Sequence, residues 1–491
     1  MGTWLLERRL YDSTGYFSNP FLSILEAMKN ISTFSKLLFC LLLLINTTAF
    51  AQQDKPNIIF ILTDDQRWDA LGFSGNDIIQ TPEMDKLAEQ GVYFKNAFVT
   101  TPICAASRAS VLTGLYERTH GYTFGQELNE GYAQNSYPAQ LRKLGYETGF
   151  FGKFGVNYPG FSKLFDVSDS YDRNGKFDDR RGYFYKTIDE DTVHLTKYTS
   201  HQAQEFIKNQ SSEKPFMLSL SFSAPHAHDS AKDQYFWSSD VDHLYEDVTF
   251  PKPLLSQQKY FDQQPDYVKE GENRTRWHWR YDTPEKYQKS MKGYYRMISE
   301  VDSEIGKIRK TLAEKGMDKN TVIIFMGDNG YFQGERQLAG KWLMYDNSLR
   351  VPMIIYDPRN PGHREITDFA LNIDIAPTVL EFATGKLPQE WQGLSLADYV
   401  LGENPAQDRK EFVAEHLWKV KIIPASEGLR TKDWKYFRYQ DDLAHEELYN
   451  LKKDPLEKKN LAGKKGYSDT LNEMREAFDQ QVKKLEADKI D

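Results

Sequence analysis

Four short apolar runs in this chain each end at residues that can bind metals or anions. The runs cover residues 57–62, 147–151, 216–222 and 321–326. Short apolar segments bounded by Gly, Pro or Asp are typical of buried strands. Helical patterns lie between them, which indicates an α/β fold with a mostly parallel central sheet flanked by helices. The polar residues after the runs are then expected to meet at the carboxyl edge of the sheet, where such folds bind ligands.

The C-terminal part has a different character. The clearest helical pattern, from Met291 to Ile308, belongs to the α/β part. Further on, residues 434–439 alternate like an antiparallel strand and residues 468–485 form an amphipathic helical pattern. We therefore predict a large α/β domain over residues 52–393 and a small C-terminal α+β subdomain over residues 394–491.

The N-terminal part resembles an export signal. Residues 28–51 contain a lysine-bearing start, an apolar stretch too short for the roughly 20 residues that span a bilayer, and the small-residue cleavage site Ala49-Phe50-Ala51. We interpret residues 28–51 as a signal peptide and residues 1–27 as an over-extended start. The expected protein is exported, to the periplasm of a Gram-negative bacterium or beyond, and has no membrane span.

Composition limits the class of partner. The formal net charge of −9 argues against nucleic acid as a partner. An anionic substrate would be held by local cations and a metal instead of by the field of the whole protein.

Cys104 is the only cysteine left once the predicted signal peptide, which contains Cys40, is removed. A single thiol in an exported protein forms no internal disulfide, so Cys104 is either a buried inert residue or a functional one. The next residues have helix-forming character up to Gly114. Cys104 then lies at a helix N-terminus, where backbone N–H groups favour anions, with Arg108 one turn further on.

Two polar pairs are candidate metal ligands. Asp64-Asp65 and Asp328-Asn329 each follow a predicted strand. Either pair alone is typical of a solvated turn or a helix cap. Together they offer carboxylate and carbonyl oxygens, which favour calcium or magnesium over zinc.

The order of several motifs makes this pattern specific. Cys104-Ala105-Ala106-Ser107-Arg108, with the Gly-ending helix after it, resembles the signature of the type I sulfatases of the alkaline phosphatase-like superfamily. The other motifs that resemble this family are Asp64-Asp65-Gln66-Arg67, Gly145-Tyr146 with Gly152-Lys153, Pro225-His226, Gly327-Asp328-Asn329-Gly330, Gly340-Lys341 with Arg350-Val351-Pro352, and Glu447-Leu448-Tyr449-Asn450-Leu451 with Asp454-Pro455. They cover nearly the whole chain after residue 51.

The resemblance implies a cofactor and a role for each motif residue. It implies one calcium ion held by Asp64, Asp65, Asp328 and Asn329 together with Cys104. It also implies that a formylglycine-generating enzyme or an anaerobic sulfatase-maturing enzyme oxidises Cys104 to formylglycine (3-oxoalanine), whose hydrate is the nucleophile. The implied roles of the remaining residues are to steady that hydrate (Arg108), to hold sulfate oxygens (Lys153 and Lys341) and to give a proton to the leaving alcohol (His226).

Two positions depart from the family pattern. Ala106 stands where proline is more common, and Gly155 stands where many members have a histidine. His120, His228 or a water are alternatives for the missing hydrogen bond. His228 is otherwise interpreted as a substrate contact or a solvated loop residue.

The substrate is predicted by analogy. The segment Arg274–Arg280 contains three arginines, two tryptophans and a histidine, and is either a sugar-binding element or an ordinary surface loop. We expect a sulfatase that acts on a sulfated polysaccharide or its oligosaccharides, such as ulvan, carrageenan or a glycosaminoglycan. The alternatives are a phosphodiesterase or phosphonate hydrolase of the same superfamily, and a catalytically silent glycan-binding protein in which Cys104 stays a thiol.

Overall fold

The computed structural model describes residues 55–171, 181–229, 231–403, 405 and 408–489. The predicted signal peptide and the segment before it lie outside these residues. Residues 56–491 form one compact unit, so the division at residue 394 stays a prediction. None of the helices in the described ranges combines the length and apolar character that crossing a bilayer requires.

The largest element is an eight-stranded sheet with the order β12-β2-β11-β8-β1-β7-β3-β4. Only β11 runs antiparallel to its two neighbours in this sheet. The prediction of a mostly parallel sheet is therefore confirmed. Its strands are β1 (Asn57–Thr63), β2 (Val92–Phe98), β3 (Glu147–Gly152), β4 (Val167–Ser170), β7 (Phe216–Ser221), β8 (Thr321–Gly327), β11 (Met353–Tyr356) and β12 (Arg364–Leu371).

All four predicted strands lie side by side at the centre of this sheet. β1 is flanked by β8 and β7, and β3 follows β7. Every residue of β1, β7 and β8 is buried, because helices cover both faces and leave no polar side. Their carboxyl ends therefore bring three of the predicted polar motifs to one edge.

The helices flank the sheet and connect its strands. They are α1 (Pro82–Gln90), α2 (Cys104–Thr113), α3 (Glu117–His120), α4 (Glu130–Gln134), α5 (Tyr137–Lys143), α6 (Phe161–Leu164), α7 (Arg181–Phe184), α8 (Leu195–Lys208), α9 (Gln258–Asp262), α10 (Asp266–Lys269), α11 (Glu272–Arg280), α12 (Pro284–Glu314), α13 (Asp346–Leu349), α14 (Ile375–Phe382), α15 (Ala397–Leu401) and α16 (Ser468–Ala487). The predicted helix around Met291–Ile308 is the middle of α12. Thr283 caps α12 by accepting from the backbone N–H of Lys286.

The C-terminal part forms a second, antiparallel sheet with the order β13-β14-β15-β16. Its strands are β13 (Glu411–His416), β14 (Ser426–Thr431), β15 (Trp434–Tyr439) and β16 (Asp442–Asn450). α16 packs along it, which confirms the predicted α+β composition. Two small sheets complete the fold: β5 (Tyr185–Ile188) with β6 (Asp191–His194), and β9 (Phe332–Gln333) with β10 (Ala339–Gly340).

Aromatic contacts join the second sheet to the first. Phe412 on β13 packs against Phe98 on β2 and Phe369 on β12, with ring centroids 5.2 Å apart in both pairs. Tyr345 packs against Phe437 on β15 at 5.3 Å. The two sheets therefore share one apolar core, and the second sheet is held beside the carboxyl edge of the first.

Candidate active site

The two predicted metal-binding pairs meet at the carboxyl edge of the central sheet. β1 and β8 are parallel neighbours in which Thr63 is paired with Gly327, so the residues that follow both strands emerge side by side. The backbone N–H of Asp65 donates to Asp328 Oδ1 over 3.0 Å. Asn329 Nδ2 donates to Asp65 Oδ1 over 2.7 Å.

The oxygens of these pairs suit a hard cation. Asp64, Asp65, Asp328 and Asn329 are at most 1 % exposed. Among the described residues, Asp65 Oδ2 and Asn329 Oδ1 accept no hydrogen bond, although buried polar atoms normally do. One ligand atom each from Asp64, Asp65 and His226 lie within 4.8 Å of one another. The two pairs by themselves supply only oxygens, and an all-oxygen set fits calcium or magnesium; His226 would add a nitrogen beside it.

The closeness of the carboxylates shifts the pKa of Asp328. Burial and the neighbouring carboxylate of Asp64 raise the pKa of Asp328 to about 6, although Arg108, Lys341 and Lys153 act in the opposite direction. A bound divalent cation would relieve this repulsion and favour the ionised form.

Arg108 connects the nucleophile helix to the metal-binding pairs. It lies one turn after Cys104 on α2, as predicted, and its Nε donates to Asp328 Oδ2 over 2.9 Å. Its Nη1 donates to the carbonyl of Lys153 over 2.6 Å and to Ser221 Oγ. Burial opposes the charge of Arg108, but Asp328 and Asp64 outweigh it and hold the pKa of Arg108 above its usual value.

The two predicted active-site lysines contact the first acidic pair. Lys153 follows β3, and its Nζ lies 2.5 Å from Asp64 Oδ2. Lys341 follows β10, and its Nζ forms an ion pair with Asp65 Oδ1. Burial opposes the charge of Lys341, but the carboxylates of Asp65 and Asp64 and the Cys104 side chain raise its pKa above the usual value.

Cys104 is a free thiol at the first position of α2 and is 8 % exposed. It lines a cleft of about 790 Å³ together with Lys153, His226 and Lys341. The Cys104 side chain also raises the pKa of both Arg108 and Lys341. The structure therefore brings the predicted nucleophile, both lysines and the predicted proton donor into one cleft.

His226 faces the acidic pair from the loop after β7. Its Nδ1 lies 2.6 Å from the carbonyl oxygen of Ala227, which only accepts, so Nδ1 carries a proton. Its Nε2 lies 3.5 Å from Asp65 Oδ2. An imidazolium at this position has its second proton on Nε2, beside the cleft.

The structure explains the departure at Gly155. Gly155 has φ +71°, and a Cβ there would come within 2.9 Å of Arg108 Cδ. A histidine would therefore be strained and would displace Arg108. His120 is occupied elsewhere, since its Nδ1 accepts from the backbone N–H of Tyr122 and its Nε2 lies 3.1 Å from Ser110 Oγ.

The interpretation of His228 as a solvated loop residue is wrong. His228 is buried, and its ring makes edge contacts with Phe184 and Phe236, with centroids 5.9 and 6.0 Å away. Two neighbouring aromatic rings account for its position better than solvent does.

The Arg274–Arg280 segment is helical and not a loop. It forms most of α11, and Arg276 is its one residue among those that line the cleft. Arg274 stacks on Trp277 at 3.9 Å. Arg280 is fully buried and forms an ion pair with Asp229. Within this cleft, Arg276 is thus the residue of the segment that can contact a sugar, whereas Trp279 lines a different cleft.

Other residues of the site were not predicted from the sequence. Ser221 accepts from Arg108, and the Tyr294 hydroxyl donates to the carbonyl of Asp65 over 2.8 Å. Phe124 and Trp418 line the outer part of the cleft. No motif marks these four positions, because each reaches the site through packing between segments far apart in the chain.

Comparisons with known proteins agree with this geometry. A family model described as Sulfatase matches residues 56–385, and one described as N-sulphoglucosamine sulphohydrolase, C-terminal, matches residues 334–484. The chain is 27 % identical to an N-acetylglucosamine-6-O-sulfatase of Bacteroides thetaiotaomicron, over 87 % of this chain and 86 % of the relative. It is also 27 % identical to an ulvan-active sulfatase of Formosa agariphila, over 88 % of this chain and 83 % of the relative.

Solved structures share the fold. One of them, an enzyme in complex with its substrate D-glucosamine-2-N,6-O-disulfate, has a TM-score of 0.77 and 23 % sequence identity and covers 88 % of this chain and 99 % of that one. Because the Sulfatase model matches well over half of the sequence, the chain belongs to the sulfatase family and is a sulfuric ester hydrolase.

Proposed function

We propose that this sulfatase removes sulfate from a sulfated polysaccharide or its oligosaccharides, with ulvan and carrageenan fragments as the first candidates. The observation that supports the proposal is a cleft lined by Cys104, Lys153 and Lys341, whose two lysines pair with the buried carboxylates of Asp64 and Asp65, next to the buried pair of Arg108 and Asp328. Similar proteins include an ulvan-active sulfatase and an N-acetylglucosamine-6-O-sulfatase.

The formal charges of the site favour an anionic substrate once calcium is bound. The carboxylates of Asp64, Asp65 and Asp328 balance the charges of three cations, Arg108, Lys153 and Lys341. Calcium held by the oxygens of the two acidic pairs would add two positive charges, which a sulfate monoester partly neutralises. Bound calcium supplies a Lewis acid for the sulfate oxygens.

Each side chain in and beside the cleft has a separate role in the reaction. Oxidation of Cys104 by a formylglycine-generating or anaerobic sulfatase-maturing enzyme supplies an aldehyde whose hydrate acts as the nucleophile. Lys153 and Lys341 hold the non-bridging sulfate oxygens, and Arg108 orients the side chain at position 104. His226, protonated at Nε2, gives its proton to the bridging oxygen as the alcohol leaves.

Release of inorganic sulfate tests this function directly. The full chain, co-expressed with a maturation enzyme, is incubated with oligosaccharides from ulvan, carrageenan and a glycosaminoglycan, and sulfate is quantified by ion chromatography. We expect release from at least one of them, and none from the same preparation of Cys104→Ala. Faster turnover of a phosphonate monoester or phosphodiester than of every sulfate ester would contradict the proposal.

Export is part of the proposal. We infer that residues 28–51 direct the chain to the periplasm or the medium and are then removed. N-terminal sequencing of the protein from a periplasmic fraction should give Gln52 as the first residue. A mature chain that begins at Met1 or Met28 would overturn this assignment.

A further inference from the structure

We propose that an apolar rim formed by Phe124, Trp418 and Ile422 at the mouth of the cleft binds the sugar residue next to the sulfated one. This inference rests on the proposed function, and it adds that the preferred substrate is at least a disaccharide. The second sheet supplies two of the three rim residues, through the loop between β13 and β14.

Two of the three rim residues are exposed although they are apolar, and Trp418 is half-buried. Phe124 is 40 % exposed and Ile422 is 49 % exposed. Both line the same cleft as Cys104 and Lys153. Apolar side chains that gather in water at the mouth of a polar site indicate a binding surface. A pyranose ring has an apolar face that aromatic rings can cover, while its hydroxyls stay in water.

The cleft is large enough for more than the sulfated group. It occupies about 790 Å³, a volume in the range typical of ligand sites for whole small molecules. Its inner part contains the cations and the thiol, and its outer part contains the rim. A substrate whose sulfate reaches Lys153 and Lys341 would place the rest of its structure against the outer part.

The rim is held in place before any substrate arrives. The rings of Phe124 and Trp418 contact each other with centroids 4.9 Å apart. The carbonyl of Ile422 accepts from the backbone N–H of Glu272 over 2.8 Å. The backbone N–H of Leu417 donates to Glu117 Oε2 over 3.2 Å. A binding surface fixed in this way loses little conformational entropy when a sugar binds.

The rim is also tied to the reacting groups. Ile423, next to Ile422, belongs to a buried cluster with Ile103, Ala106 and Trp342, against which Trp418 packs. Ile103 precedes Cys104, and Trp342 follows Lys341 in the sequence. A sugar on the rim is therefore positioned relative to both the nucleophile and a sulfate-binding lysine.

Charges near the rim fit a polyanionic saccharide. Arg276 lines the cleft and stacks on Trp342 at 4.6 Å, while its guanidinium pairs with Asp229 over 2.8 Å. Lys419 and Lys421 are exposed in the loop that carries Trp418 and Ile422. Cations beside an apolar surface, in a protein of net charge −9, favour sulfated or carboxylated sugars over a neutral partner.

The test compares two substrates that differ only in the neighbouring sugar. Sulfated disaccharides from ulvan, carrageenan and a glycosaminoglycan are each assayed beside the corresponding sulfated monosaccharide. For Trp418→Ala we expect the loss of kcat/KM on the best disaccharide to be about tenfold greater than the loss on its monosaccharide. Phe124→Ala should show the same selectivity with a smaller loss.

Controls separate binding from folding. Leu443→Ala removes an apolar side chain on β16 that is 58 % exposed and lies outside the cleft. It should change kcat/KM on neither the disaccharide nor the monosaccharide. Trp418→Phe keeps an aromatic ring and should retain most of the disaccharide preference, even if Trp418→Ala lowers the melting temperature.

The outcomes distinguish this inference from the proposed function. Three results would overturn the assignment of the rim as a sugar-binding surface. They are equal losses on both substrates, no loss in Trp418→Ala, and a wild-type enzyme that cleaves the monosaccharide as well as every disaccharide. Failure of the wild-type enzyme to release sulfate from any saccharide would instead overturn the proposed function.

Discussion

The protein has two buried clusters that each contain carboxylates and cations. They differ in how the pKa of a central aspartate is shifted. At the edge of the central sheet, burial and Asp64 raise the pKa of Asp328 to about 6. At the junction with the second sheet, burial would raise the pKa of Asp346, but Lys435 and Arg430 lower it below its ordinary range. Lys435 also lies 2.5 Å from Glu457 Oε1. Asp64 and Asp328 crowd each other in the first cluster, whereas cations keep Asp346 ionised in the second, although burial and Asp346 raise the pKa of Glu457 there.

This difference distinguishes a site that binds a ligand from a cluster that stabilises the fold. Buried charges that pair with each other hold two elements together, and their loss leaves an uncompensated charge. The first cluster is also ion-paired, but its two lysines line the cleft, and Asp65 Oδ2 and Asn329 Oδ1 accept no hydrogen bond within the described residues, so it is arranged for a ligand. We expect changes in the first cluster to affect catalysis and changes in the second to affect stability.

Replacement of the nucleophile should give the largest effect. Cys104→Ala removes the thiol that maturation oxidises, so kcat/KM for sulfate release should fall by about 10⁴-fold or more. The free energy of unfolding should change by about 1 kcal/mol or less, because the substitution removes a single sulfur atom from the wall of a cleft. Residual activity above one per cent of wild type would show that position 104 is not the nucleophile.

Replacement of the junction lysine should give the opposite pattern. Lys435→Met leaves Asp346 and Glu457 buried without their shared cation, and urea unfolding should show a loss of about 3–5 kcal/mol. Activity per folded molecule should stay at the wild-type level. Lys432→Met, at an exposed position two residues before β15, serves as the matched control and should leave the unfolding midpoint in place. An equal midpoint for both variants would remove the contrast.

Removal of the metal should have an intermediate effect that is confined to the first cluster. Calcium at about 100 times its dissociation constant should stabilise the chelated protein by about 2.7 kcal/mol, visible as a higher melting temperature. Asn329→Ala, which lacks one oxygen ligand, should need about tenfold more calcium for the same shift. Lys435→Met should keep the full response to calcium. A melting temperature that is insensitive to chelator and calcium would contradict a metal site.

Acid should destabilise the protein gradually, and the effect should occur in both regions. Burial lowers the pKa of His120, behind α2, to about 3 and that of His416, on β13, to about 4. Below about pH 6.5 the unfolded chain binds more protons than the folded one, so stability falls as pH falls, by up to about 1.4 kcal/mol per pH unit for each histidine. His120→Gln and His416→Gln should each flatten the profile between pH 6.5 and 4. An unchanged slope in both variants would show that neither ring is buried neutral.

The sequence was sufficient to predict the centre of the fold and most of the cleft. β1, β7 and β8 are buried along their whole length because both faces are covered, and β3 is buried except at Glu147. Their residues are therefore mostly apolar, and that pattern is local in the sequence. Once they were placed as parallel neighbours, the meeting of Asp64 with Asp328 followed. The antiparallel direction of β11 did not follow, because the path of the chain between β8 and β11 determines it.

Positions set by packing between distant segments could not be predicted. Phe124 and Trp418 touch across nearly 300 residues of sequence, and neither lies in a motif. The reason for Gly155 also needs coordinates, since the sequence shows only a missing histidine, whereas the backbone shows a positive φ against Arg108. The helical state of Arg274–Arg280 was missed because its mixed charges and rings give no apolar period.

The most direct test of the central claim is the mass of the peptide that contains Cys104, measured in preparations with graded amounts of maturation enzyme and set against their sulfate release. The account predicts that specific activity rises in proportion to the fraction of peptide that carries an aldehyde in place of the thiol. Full activity in a preparation whose Cys104 is entirely a thiol would contradict it.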